Sequence, residues 1–109
     1  MPSSQGYLSF ILEQLSSLPG ITYRPMMGEF ILYSHGKIVG GIYDDRLLVK
    51  PIPSAERYLT DPVYQLPYEG GKRMLLVEEV DDRDHLAGLF KAMDEELAGP
   101  SSPKKAERR

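Results

Sequence analysis

The sequence predicts a two-layer α+β domain, an antiparallel sheet of about five to six strands with an N-terminal and a C-terminal helix packed on it. Three observations predict this. Apolar stripes at helical spacing stand near both ends of the chain. Short β-branched and aromatic runs lie between them, joined by two- or three-residue polar turns. No helical pattern long enough for a parallel crossover separates those runs. With 109 residues the chain is sized for one domain and one core.

The first helix is expected from about Ser4 to Ser17. Leu8, Ile11, Leu12 and Leu15 fall on one face, Ser3 or Ser4 can cap the start, and Pro19-Gly20 ends it. Ile21–Arg24 is the first extended run, and Pro25 confines it to an edge or a strand end. Phe30–Tyr33 is the second, followed by a His35-Gly36 turn. Lys37–Tyr43 is the third, and its Gly40-Gly41 pair points to a bulge or a close backbone approach. Asp44-Asp45 turns the chain into Arg46–Lys50.

Pro51-Ile52-Pro53 then breaks the sheet, and Ser54 is expected to cap a short helix from Ala55 to about Leu59. Pro62 and Pro67 leave Val63–Tyr68 as a loop or ragged edge strand. Gly70-Gly71 turns into a last strand, Lys72–Val80. Asp81 or Asp82 caps the final helix, whose stripe is Leu86, Leu89, Phe90, Met93 and Leu97. Residues 1–99 form the expected domain, and 100–109 a disordered basic tail.

The net charge of −3 is unevenly placed: Lys104, Lys105, Arg108 and Arg109 against Glu107 leave the rest of the chain at −6. An acidic body is a poor partner for a phosphate backbone, although the tail could add weak, salt-sensitive contact. No cysteine is present, so there is no disulfide framework, thiolate nucleophile or Cys-based zinc site. No signal peptide and no apolar run of membrane-spanning length is visible, which predicts a cytoplasmic protein.

Reaction chemistry is not written in these residues. No serine stands in a Gly-x-Ser-x-Gly elbow, and Gly70-Gly71-Lys72 lacks the frame of a phosphate loop. Asp81, Asp82, Asp84 and His85 match no metal motif; the aspartates are better read as helix-capping residues and His85 as a solvated helix residue. Glu78 and Glu79 are adjacent and would point to opposite faces of a strand. No catalytic residue, metal ligand or cofactor is therefore assigned.

Two groups remain as candidate binding residues. Arg46 and Lys50 share a strand face that Lys72 and Arg73 could join, the one basic cluster of the body, able to hold an anion or a partner's acidic surface. The junction containing Arg24, Met26, Met27 and Gly28 combines a cation with two methionines, which fill irregular core gaps or adapt to partners.

The run Arg24–Tyr33, then Gly36–Gly40, then Asp45–Lys50 resembles the N-terminal domain of the TfoX/Sxy family of competence regulators. Tyr68–Lys72 and Glu78-Glu79-Val80 extend the likeness, which covers about residues 7–97. Met27 and Glu29 stand where the family's opening motif has a Phe and a second Gly. The resemblance implies a two-layer fold with an antiparallel sheet, a stand-alone module without the family's C-terminal helical domain, and no catalytic residues to carry over. The function it implies is a non-enzymatic regulatory or protein-interaction module with a protein partner. From the residues themselves, a flat, glycine-containing strand able to pair with its twin points to a homodimer. Direct nucleic-acid binding is the alternative, and a small-molecule-binding protein or enzyme is a third.

Overall fold

A computed structural model describes residues 4–98. The expected basic tail, residues 100–109, lies outside the described residues. Within them run α1 (Gln5–Gln14), β1 (Ile21–Met26), β2 (Glu29–Ser34), β3 (Lys37–Ile42), β4 (Leu47–Val49), α2 (Pro53–Tyr58), β5 (Val63–Gln65), β6 (Met74–Val77) and α3 (Arg83–Ala98). The strands form one open sheet in the order β1-β2-β3-β4-β6-β5, antiparallel at every pairing. The predicted α+β class is the class observed.

Ser4 caps α1, its hydroxyl accepting from the Tyr7 N–H at 3.1 Å. The helix ends three residues earlier than the stripe predicts. Ser16 and Leu18 bond back three residues to Glu13 and Leu15, a tightening that closes the helix ahead of Pro19. Leu8, Ile11 and Leu15 are buried against the sheet.

Three tight hairpins follow. Met27-Gly28, His35-Gly36 and Asp44-Asp45 each hold both residues at positive φ, between 51° and 86°. That is the signature of mirror-image turns, whose twist matches the strands they join. Two of these turns are expected from sequence. The Met27-Gly28 turn is not, because methionine is an unusual residue at positive φ.

The close approach expected at Gly40-Gly41 occurs, and a bulge falls just ahead of the pair, with Val39 as the extra residue. The β2–β3 register shifts between Leu32 and Tyr33. A Cβ on Gly40 would collide with the backbone of Leu48 and come within 2.8 Å of the Val49 Cα. This strand is third in the sheet, so it has no free edge with which to pair with its twin, and the glycine route to a homodimer is closed. The strand bearing Pro25 is the edge strand instead.

The second half departs further from expectation. Pro53, not Ser54, opens α2, because its fixed φ suits the first helical turn and it has no N–H to satisfy. Ser54 sits inside that turn, and its N–H donates to the Glu96 carboxylate of α3 at 2.7 Å. The last strand is Met74–Val77 alone, so Lys72, Arg73 and Glu78–Val80 flank it. β5 lies outside β6, so the strands adjoin in unbroken chain order only from β1 through β4. Asp82 is the residue that caps α3, accepting from the His85 N–H at 3.1 Å.

Register assigns the two sheet faces. Leu32, Gly40, Val49 and Leu75 share one row, and with Ile42, Leu47 and Val77 they meet Leu8, Ile11, Leu86, Leu89, Phe90 and Met93 of the helices. Arg24, Ile31, Gly41, Leu48, Leu76 and Val63 share the row on the opposite, outer face. No helix among the described residues is long and apolar enough to cross a membrane.

Candidate functional site

An antiparallel sheet with one covered face normally alternates apolar inward and polar outward. The outer face here breaks that rule. Ile31, Tyr33, Ile38, Leu48, Leu76 and Val63 occupy outward positions, and none belongs to the cluster packed beneath the helices. Leu48 is fully buried, whereas Ile38 and Val63 are 40% and 41% exposed.

A loop explains that contrast. After β5 the chain turns back toward Tyr43, and the Arg46 guanidinium pins it there. Arg46 donates to the Gln65 side chain at 2.7 Å and to the carbonyls of Leu66 and Pro67 at 3.2 and 3.3 Å. Its Nε also donates to the Tyr43 carbonyl at 3.1 Å. The Tyr43 ring lies against Gly41, where a Cβ would come within 2.7 Å of it, and the Tyr68 ring packs on Tyr43 with centroids 6.1 Å apart. Burial, then the neighbouring Tyr68 and Glu29, raises the Tyr43 phenol above its ordinary pKa. The loop shelters the middle of the outer face; in the more open β1–β3 half Ile38 is exposed while Ile31 and Tyr33 are half-buried.

The predicted basic cluster is brought together in part. Lys50, Lys72 and Arg73 line one cleft of roughly 630 Å³ with Tyr43 and Tyr68, and no carboxylate shares its lining. Arg46 is not in that lining; it is the bolt of the loop. The Arg73 guanidinium lies 4.3 Å from the centroid of the Tyr64 ring. Tyr64 in turn donates its hydroxyl to Glu56 at 2.6 Å, and that bond raises its pKa.

The other predicted group lies strands away, at the β1–β2 end. Arg24 is exposed on the outer face beside Ile31, and Met26 closes β1. Met27 stands at the turn with φ 53° and is 97% exposed. It is a hairpin tip, and the corner is not part of the core. Glu29 accepts from the Asp44 N–H at 3.2 Å, tying this turn to the β3–β4 turn.

One constellation could not be found from spacing, because its members are about 60 residues apart. Asp94 Oδ1 of α3 accepts from the Ser34 hydroxyl at 2.8 Å and meets His35 Nδ1 at 2.9 Å. The His35 bond is the main reason the Asp94 carboxyl lies below its ordinary pKa, with Ser34 and the His35 and Lys37 charges adding and burial opposing. Serine, histidine and aspartate are therefore adjacent but wrongly connected for acyl transfer. Ser34 is bonded to the carboxylate and not to the imidazole, so nothing takes its proton. The cluster anchors the β2–β3 turn to α3. Among the described residues no group of three or more His, Asp or Glu side chains is placed to hold a metal ion.

The family described as the TfoX N-terminal domain matches residues 13–92. A curated relative, the "Uncharacterized 12.7 kDa protein in trpE 5'region" of Spirochaeta aurantia, is 27% identical over 107 residues, covering 97% of this chain and 92% of the relative. No solved structure matches the chain significantly.

Proposed function

The chain belongs to the TfoX N-terminal domain family, and from that premise we propose that it is a regulatory protein-interaction module, acting as the N-terminal domain of TfoX/Sxy regulators of DNA uptake acts and catalysing no reaction itself. One observation carries the reading: outward positions of the sheet hold Ile31, Tyr33 and Ile38 where solvent contact favours polar residues. Fully burying one such side chain contributes about 1.5–3 kcal/mol, the scale at which a few residues dominate an interface. The Arg24, Met26, Met27 and Gly28 corner borders this open half and belongs to the proposed surface. Lys50, Lys72 and Arg73 are proposed as a second, cationic contact for an acidic part of the partner. The titratable side chains support a non-enzymatic role, since Ser34, His35, Asp94 and Arg46 are committed to holding the fold.

Affinity purification of the chain from its native cell, read by mass spectrometry, tests the proposal. Enrichment of a specific protein is expected. Recovery of nucleic acid alone would replace the proposal with the second reading, weak nucleic-acid binding through the cleft. That reading draws support from two tyrosines and three cations in a lining free of carboxylates. A salt titration at low ionic strength decides it, because phosphate contacts weaken steeply with salt.

A further inference from the structure

The sheet has two edges, and they differ. β5 is three residues long and flanked by Pro62 and Pro67, a short and guarded edge. β1 is six residues long and is mostly exposed along its length. Its outward-facing groups follow from the ladder. Gly20 faces β2, since its carbonyl accepts from the His35 N–H at 2.8 Å. The register then runs unshifted from Ile21↔Ser34 to Met26↔Glu29. In an antiparallel pair alternate residues turn their backbone groups to the partner strand. Thr22, Arg24 and Met26 therefore face β2, while Ile21, Tyr23 and Pro25 face out. Pro25 has no N–H to offer, so the edge presents N–H groups at Ile21 and Tyr23 and carbonyls at all three.

This edge is flanked by a groove on each side of the sheet. On the helix side Leu12, Leu15, Leu18, Ile21 and Tyr23 line a mainly apolar groove of roughly 540 Å³. On the outer side Thr22, Arg24 and Tyr33 line a second of roughly 380 Å³. Among the described residues no carboxylate lies within ion-pair distance of Arg24. Successive side chains of any added strand would drop alternately into the two grooves.

We propose that β1 captures an extended peptide by strand addition, and that the peptide alternates apolar residues toward α1 with acidic residues toward Arg24. This rests on the protein-interaction reading and names its mode and partner class. Charge selects the occupant. In a two-fold pairing of β1 with a second copy centred on Tyr23, Arg24 and its twin would lie on one face as near neighbours, which like charge disfavours. The same cation favours an acidic strand.

The test uses the full chain, isotope-labelled, titrated with a synthetic octapeptide alternating valine and glutamate. A peptide alternating valine and lysine serves as control. The expected result is perturbation of the Ile21 and Tyr23 amides by the glutamate peptide. Arg24→Glu, an exposed substitution that leaves the core intact, should reverse the preference by about tenfold or more. Perturbation mapping to β5 or to the Lys50/Lys72 cleft would overturn the proposal. So would unchanged affinity in Arg24→Glu, absence of binding at millimolar peptide, or self-association of the free chain through β1. If the peptide fails while a native partner is still captured through Ile38, strand addition falls and the interaction reading stands.

Discussion

Gly40 and Val49 face each other across β3 and β4 with no room for a side chain between them: a Cβ on Gly40 would come within 2.8 Å of the Val49 Cα and closer still to the Leu48 carbonyl. The obstruction is backbone, which cannot rotate away. Gly40→Ala is therefore expected to destabilise the domain by about 2 kcal/mol or more, lowering the melting temperature by roughly 8–16 °C. Gly6 is the contrasting case, a helical glycine with nothing within 4 Å of its Cβ position. Gly6→Ala should stabilise by about 0.5–1 kcal/mol. Thermal unfolding of the two variants beside the parent checks both signs at once.

Met27 occupies a left-handed turn position while burying almost nothing. Met27→Asn would create the Asn-Gly pair that such turns prefer. A gain of about 1 kcal/mol is expected in denaturant titration, with an unchanged slope. An unchanged midpoint would mean that the turn is not held at positive φ.

Arg46 holds the 65–67 loop over the outer face with a fork of donors that lysine cannot reproduce. Arg46→Lys should cost about 1–3 kcal/mol and speed amide exchange and proteolysis in residues 66–73. Cleavage rates equal to the parent's would remove Arg46 from that role.

Asp94 supplies the pH dependence. Its pKa is depressed in the folded chain, so the carboxylate adds stability above its ordinary value of 3.8, and that contribution is lost as pH falls through the lower folded value. Asp94→Asn should be less stable than the parent at pH 7 and should lose less stability on acidification. Parallel stability curves for parent and variant between pH 6 and pH 2 would contradict this.

Local chemistry made much of the architecture legible. Stripes at Leu8–Leu15 and Leu86–Met93 marked both long helices, and His35-Gly36 and Asp44-Asp45 marked two hairpins. Pro25 marked an edge strand, and Gly40-Gly41 a tight crossing. What stayed hidden depends on contacts distant in sequence. Nothing local shows that the Ser54 N–H finds Glu96, that Asp94 gathers Ser34 and His35, or that Arg46 is taken by a loop some twenty residues on. The outer face was hidden for a related reason. Ile31 and Ile38 look like core residues in sequence, and only the strand register turns them away from the helices.

The central claim is that the open β1–β3 half of the outer face contacts a protein. Quantitative affinity purification from the native cell, with the parent chain and an Ile38→Asp variant of equal melting temperature run side by side, tests it most directly. The account predicts one or more proteins enriched by the parent and lost with the variant, while Lys91→Ala, on the helix layer, behaves as the parent does. Identical protein recoveries for parent and Ile38→Asp would contradict it.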